Sequence, residues 1–247
     1  MNFTYDSYRH LIGLLSENGY QICDYDNYND ISGRRVILRH DIDNSIEKAV
    51  SLSDVERKLG GGVHSTFFVL LTSDFYNVFS LKSLRGLDKI LDNGGVLGLH
   101  FDEMRYPDEE GNPRKITDRI LQERDSLEHA LGIDIRTVSM HRPSQEIIKA
   151  NLHIPGMINS YSDEFFNGFK YVSDSRRRWR EPVEDIIRSR KYDKLHILTH
   201  AFWYNDAELD ITESVLQFVN HANYERYSSM ADNITDIGSI MSEENVR

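Results

Sequence analysis

Cysteine is almost missing from this chain. Cys23 is the single thiol in 247 residues, so no internal disulfide can form, and one thiol fits a reducing compartment. Positive charge is also in short supply. The 29 Lys and Arg against 40 Asp and Glu give a formal net charge of −11, which argues against a nucleic-acid partner, whose binder carries a basic footprint. The only basic run is Arg176-Arg177-Arg178, with Arg180 after Trp179. It is too short to reverse the overall field but long enough to grip one anionic group. No apolar stretch is long enough to span a bilayer, and the opening MNFTYDSYRH lacks the apolar centre of a signal peptide. The expected setting is therefore cytoplasmic. Internal repeats, low-complexity segments and linkers are absent too. Residues 1–247 read as one domain, long enough to bury a substantial core.

What is present is alternation. Apolar β-branched or aromatic runs predict strands from residue 36 and over 64–71, 96–101, 135–140, 157–161, 170–172 and 195–199. Helical spacing predicts helices over 4–19, 45–59, 73–93, 115–131, 145–151, 182–190 and 211–227. Gly60-Gly61-Gly62 is read as the stop of the second helix, and residues 20–34 as an irregular connection. Strand-helix alternation of this kind implies a parallel sheet. The fold class is α/β: a distorted, incomplete (β/α) barrel of about seven parallel strands, one short of the eightfold closure.

The organising stretch is VILRHDIDNS, residues 36–45. An apolar triple, Val36-Ile37-Leu38, gives way to Arg39, His40, Asp41 and Asp43. Side chains alternate along a strand, so Asp41 and Asp43 share a face. A divalent metal together with a general base would use such a pair; solvated carboxylates capping the next helix are the plainer alternative. The same pattern recurs along the chain. Strands end in His100, in His141-Arg142, in Asp174 and in His200. Active sites of parallel α/β folds lie at that C-terminal edge, where such residues would converge. Taken singly, each has a structural reading: a core histidine, a turn, a cap.

The ordered series HDID, HSTFFVLL, GLHFDE, MHRPS, VSDSRRRW and LHILTHAFW resembles the polysaccharide deacetylase superfamily (NodB homology, carbohydrate esterase family four), most nearly its WbmS-like branch. The resemblance runs from about residue 36 to 203. It implies metal-dependent removal of an acyl group, N-acetyl first, from a sugar or nucleotide-sugar in bacterial surface-polysaccharide (O-antigen) biosynthesis. It implies a divalent metal cofactor, zinc first. Asp41 matches the catalytic base and Asp43 a metal ligand. His100 matches the first histidine of the metal motif. Arg142 matches the arginine that holds the base, Asp174 the carboxylate that supports the catalytic histidine, and His200 that histidine, the general acid. One departure stands out: the second metal histidine would fall at residue 104, which is Met104. A thioether is a poor ligand beside carboxylate and imidazole. His141 is the first substitute, Asp102 and Glu103 the next, and Asp43, His100 and His141 suffice by count for a catalytic zinc. Two alternatives remain: a catalytically degenerate sugar- or metal-binding barrel, and another metal-dependent barrel enzyme.

Overall fold

Strand β2 (Arg35–Ile42) explains most of the architecture. It does not stop where charge begins: Arg39, His40 and Asp41 lie within it and are buried. The structure, a computed structural model, describes residues 1–60 and 63–246; Gly61, Gly62 and Arg247 lie outside the described residues. The other strands are β1 (Gln21–Cys23), β3 (Thr66–Leu70), β4 (Val96–Phe101), β5 (Thr137–Met140), β6 (Ile158–Asn159), β7 (Lys170–Ser173) and β8 (Lys194–Thr199). All the ladders are parallel. The sheet order is β6-β5-β4-β3-β2-β8-β7, with β1 pairing β2 as an eighth strand. The path ends at β6 and β7, the two strands whose pairing would close the ring. The result is an open, curled half-barrel surrounded by helices.

Alternation along the strands sorts the chemistry. On the outer face Val36, Leu38, Phe67, Val69, Leu97, Leu99, Val138, Leu195 and Ile197 form one core with helix residues such as Leu52, Ile90, Ile120 and Ile187. Burying side chains of this size stabilises a fold by roughly 1.5–3 kcal/mol each. On the inner face Ile37 and Phe68 pack with Tyr25, Tyr28, Phe165 and Phe169 into a smaller apolar floor that includes Cys23. Above that floor the inward positions turn polar. Gly98 is required where β3 meets β4, because a Cβ there would lie 2.6 and 2.7 Å from ring atoms of Phe68.

The chain forms two compact units, Met1–Asp206 and Ala207–Arg247. In the first, the helices are α1 (Tyr5–Glu17), α2 (Ile46–Lys58), α3 (Leu81–Asp92), α4 (Pro113–Leu131), α5 (Gln145–Ala150), α6 (Asp163–Phe166) and α7 (Val183–Ser189). Helix α4 shows complete local signalling. The Asn112 side chain caps its start, proline occupies the first turn, and Gly132 ends it at φ 68°. The second unit holds α8 (Ile211–Asn233), opened by an Asp210/Glu213 capping box, and α9 (Ile237–Ile240). Among the described residues no helix is long and apolar enough to cross a membrane.

Two expected elements differ. The helix predicted over 73–93 begins only at Leu81, where the Ser80 side chain accepts from the Ser83 backbone N–H. The preceding turns are tied to β2 instead: the Tyr76 hydroxyl donates to the Ile42 carbonyl at 2.6 Å, and Ser73 Oγ to that of Asp43 at 3.0 Å. The stretch 20–34 contains β1, three residues long and too short to carry a periodic signal.

Candidate metal centre and flanking groups

Each polar group expected at the rim sits at or just past a strand end. Asp43 follows β2, His141 follows β5, Asp174 follows β7, His200 follows β8, and His100 lies in the last turn of pleat of β4. The parallel register supplies the convergence. His100 pairs with Ser139 across β4 and β5, so His100, Ser139 and His141 share the inner face.

Three donor atoms meet there. Asp43 Oδ1 lies 3.2 Å from His100 Nε2 and 3.3 Å from His141 Nδ1, and the two imidazole nitrogens are 3.2 Å apart. Asp43 Oδ1 is buried, yet neither nitrogen is aligned to give it a hydrogen bond. A buried carboxylate oxygen equidistant from two imidazole nitrogens, and bonded to neither, is what a shared cation would resolve. Tetrahedral zinc with bonds of about 2.0–2.1 Å holds its ligand atoms roughly 3.3 Å apart, so the triangle matches in size and the donor set in chemistry. The Asp43 carboxyl is held well below the usual range: burial pushes it up, but the two imidazoles outweigh that. Burial also pushes His141 down, and Asp43 overrides it, leaving that ring raised.

Met104 stands on the short turn Glu103–Arg105 and is exposed. Asp102 and Glu103, the further substitutes, are engaged elsewhere. Asp102 takes the Arg142 guanidinium through Nε at 3.1 Å and Nη2, and accepts from the Met104 N–H. Glu103 accepts from the backbone of Gly111 and Ser144 and from the Ser144 hydroxyl.

Asp41 is fully desolvated, and its partner differs from the expected one. The arginine on Asp41 is Arg39, from the same strand and face, with Nε and Nη2 each 2.8 Å from one carboxylate oxygen. Arg142 does not reach Asp41, because it is committed to Asp102 and more than half exposed. Burial raises Asp41, but Arg39 and then His100 bring it below the ordinary carboxylate value. Asp41 Oδ2 lies 3.5 Å from His100 Nε2.

His200 is held on the other flank. Its Nδ1 is 2.6 Å from Asp174 Oδ1, and its backbone N–H is shared by both oxygens of that carboxylate at 3.1 Å. The outward Nε2 lies 3.8 Å from Asp43 Oδ2. Burial lowers His200, but Asp174 overcomes it and raises the ring to about 9. Of the aromatic residues after His200, Tyr204 is fully buried against Phe3 and Tyr8, and Phe202 and Trp203 are half-buried. In the arginine run, Arg176 and Arg177 take left-handed backbone, φ 61° and 55°.

Sequence reasoning passed over Arg39 and Ser139 as site residues. The signal for Arg39 was available: it sits two residues before Asp41, and period two puts both on one face.

No family model matches this chain, and no curated protein matches it. Solved structures do. A deacetylase from Streptococcus pyogenes, in complex with acetate, is 13% identical over 87% of this chain and 86% of its own, with a TM-score of 0.45. A CE4 esterase from Streptococcus mutans is 15% identical over 92% of this chain and 88% of its own, TM-score 0.45. A CE4-family pseudoenzyme from Bacillus anthracis is 18% identical over 80% and 66%, TM-score 0.45. At these scores the likeness assigns no activity, and enzymes and a pseudoenzyme stand side by side among them.

Proposed function

We propose that this protein is a metal-dependent hydrolase that removes an acyl group, N-acetyl first, from a sugar. One observation carries the reading. The donor atoms of Asp43, His100 and His141 form a triangle with sides of 3.2–3.3 Å; the buried Asp41 carboxylate lies 3.5 Å from its His100 corner, and the carboxylate-backed His200 ring lies 3.8 Å from the other oxygen of Asp43.

Asp43, His100 and His141 would hold a divalent ion, zinc by donor type, and that ion would supply a Lewis acid that acidifies water and polarises the acyl carbonyl. The rest falls to this chain's own groups. Asp41, ionised and fixed by Arg39, accepts the proton of the attacking water on Oδ2. His200 carries a proton on Nε2 at neutral pH, because Asp174 holds its Nδ1, and delivers it to the leaving nitrogen. Acid and base are thus separated by environment: one carboxylate is kept charged by a guanidinium, one imidazole by a buried carboxylate. Arg142 stands at the rim, paired with Asp102 and more than half exposed. The surface-polysaccharide setting is carried by the sequence resemblance.

The test is acyl release. Purified protein loaded with zinc is incubated with N-acetylated hexosamines, free, nucleotide-linked and polymeric, and acetate is measured. Release that stops with chelator, returns with zinc and is lost in Asp41→Asn supports the assignment. Stoichiometric zinc with no release from any acylated sugar refutes the hydrolase and leaves the degenerate binding barrel, the reading that Met104 favours.

A further inference from the structure

The half-barrel lacks the β6–β7 ladder, so its curl is not fixed by hydrogen bonds around a closed ring. Yet the triangle needs that curl, because its three donors sit within β4 and directly after β2 and β5. Something inside the barrel must set the distance between β2 and the far strands.

Arg39 spans the interior in this way. It is completely buried. Its guanidinium lies between the rings of Phe68 and Tyr161, 5.1 Å from each centroid. From β2 it reaches past β3 and β4 in the sheet order. Nη2 donates to the Ser139 hydroxyl on β5, and Nη1 to Ser160, just past β6, at 3.4 Å. Nε and Nη2 hold Asp41. The Ser139 oxygen in turn lies 3.1 Å from His100 Nδ1, the nitrogen behind the one in the triangle. A planar, donor-only fork fixes the oxygens it touches.

We infer that Arg39 is a positioning residue for both halves of the centre. It orients the base Asp41 directly and the ligand His100 through the Ser139 hydroxyl, acting as a spoke that sets the curl of the unclosed barrel. The role of ligand support rests on the metal-centre reading; the spoke does not. Groups behind a ligating histidine are worth 10- to 100-fold in metal affinity.

The experiment compares the full chain with Arg39→Lys, Ser139→Ala and the double variant. Arg39→Lys keeps the buried charge and loses the fork; Ser139→Ala removes one hydroxyl and guards against an arginine variant that fails to fold. Zinc affinity is read by competition with a chromogenic chelator, the His100 ring nitrogens by 15N NMR on metal-free protein, and turnover by kcat and KM. Each single variant is expected to bind zinc 10- to 100-fold more weakly, with the double no weaker than Arg39→Lys alone. The His100 ring signals move in both single variants while those of His129, on α4, stay. In Arg39→Lys, kcat falls and KM holds, since no buried spoke touches substrate. Multiplicative losses in the double variant, or unmoved His100 signals in a folded Arg39→Lys, overturn the inference. Absence of zinc binding in the parent chain would sink the metal-centre reading, and the ring signals would still decide this one.

Discussion

Replacing Asp174 by asparagine separates the two forces acting on His200. Burial alone disfavours the imidazolium; the Asp174 carboxylate, 2.6 Å from Nδ1, reverses that and holds the ring at about 9. Measured from an ordinary histidine near 6.5, this is about 3 kcal/mol in favour of the charged form. The amide cannot supply it, so in Asp174→Asn the ring falls to or below its ordinary value and is neutral at pH 7. The sign for stability follows. The folded-state value lies above the unfolded one, so the pair's stabilisation is complete below about 6.5, declines as pH rises towards 9, and is gone above it. The variant should be less stable than the parent by up to about 3 kcal/mol at pH 6, with the difference closing by pH 9.5. The assay is an NMR titration of the His200 ring in metal-free protein, with urea unfolding at both pH values. A parent ring that titrates near 6.5, or a stability difference independent of pH, refutes the reasoning.

Further perturbations test other parts of the fold and site. Asp41→Asn should lower kcat by roughly 10²- to 10⁴-fold while zinc still binds; retention of a tenth of the activity removes Asp41 from its role. Gly98→Ala places a Cβ against the Phe68 ring and should destabilise by about 1–3 kcal/mol in chemical denaturation; an unchanged midpoint would mean that β3 and β4 can part without loss. Burial pushes the Glu123 carboxyl up to about 7, despite the Tyr106 hydroxyl at 2.7 Å. The folded state therefore resists an ionisation that is half complete in the unfolded chain at 4.5, and stability drains away as pH rises between those values. Glu123→Gln should be the more stable protein at pH 8, by up to about 3 kcal/mol, and gain nothing at pH 4; a gain equal at both would refute the cause.

Much of the site was legible because it depends on strand ends. The strand over 96–101 falls where its apolar pattern puts it, and His100 is brought to Asp43 as the parallel edge requires. What stayed hidden depends on pairing between distant strands. That Arg39 rather than Arg142 meets Asp41 cannot be read from the Arg-Pro dipeptide, because Arg142 is decided by Asp102 on the neighbouring turn. The late start of α3 was hidden for the opposite reason. Apolar residues over 73–80 satisfy a helical spacing, but Tyr76 gains more by bonding the β2 and β3 backbones at 2.6 and 2.9 Å, a tertiary gain that local spacing does not encode.

The exposure of Met104 follows from the same geometry. A ligand placed four residues after His100 would have to come from the turn Glu103–Arg105, whose position depends on a loop. His141 reaches the triangle from β5, which is hydrogen-bonded to β4 with His100 opposite Ser139. Two residues on from Ser139, period two returns the side chain to the inner face at the rim, so His141 arrives beside His100 without help from any loop. The sheet therefore holds all three donors, His100 within β4 and Asp43 and His141 one residue past β2 and β5, with the His141 N–H bonded to the Phe101 carbonyl at 2.8 Å, and Met104 is free to be exposed. A centre built this way tolerates change in its loops but not in its curl: moving β5 relative to β2 opens two sides of the triangle at once. That makes the interior spoke, rather than residue 104, the place where loss of metal should be sought.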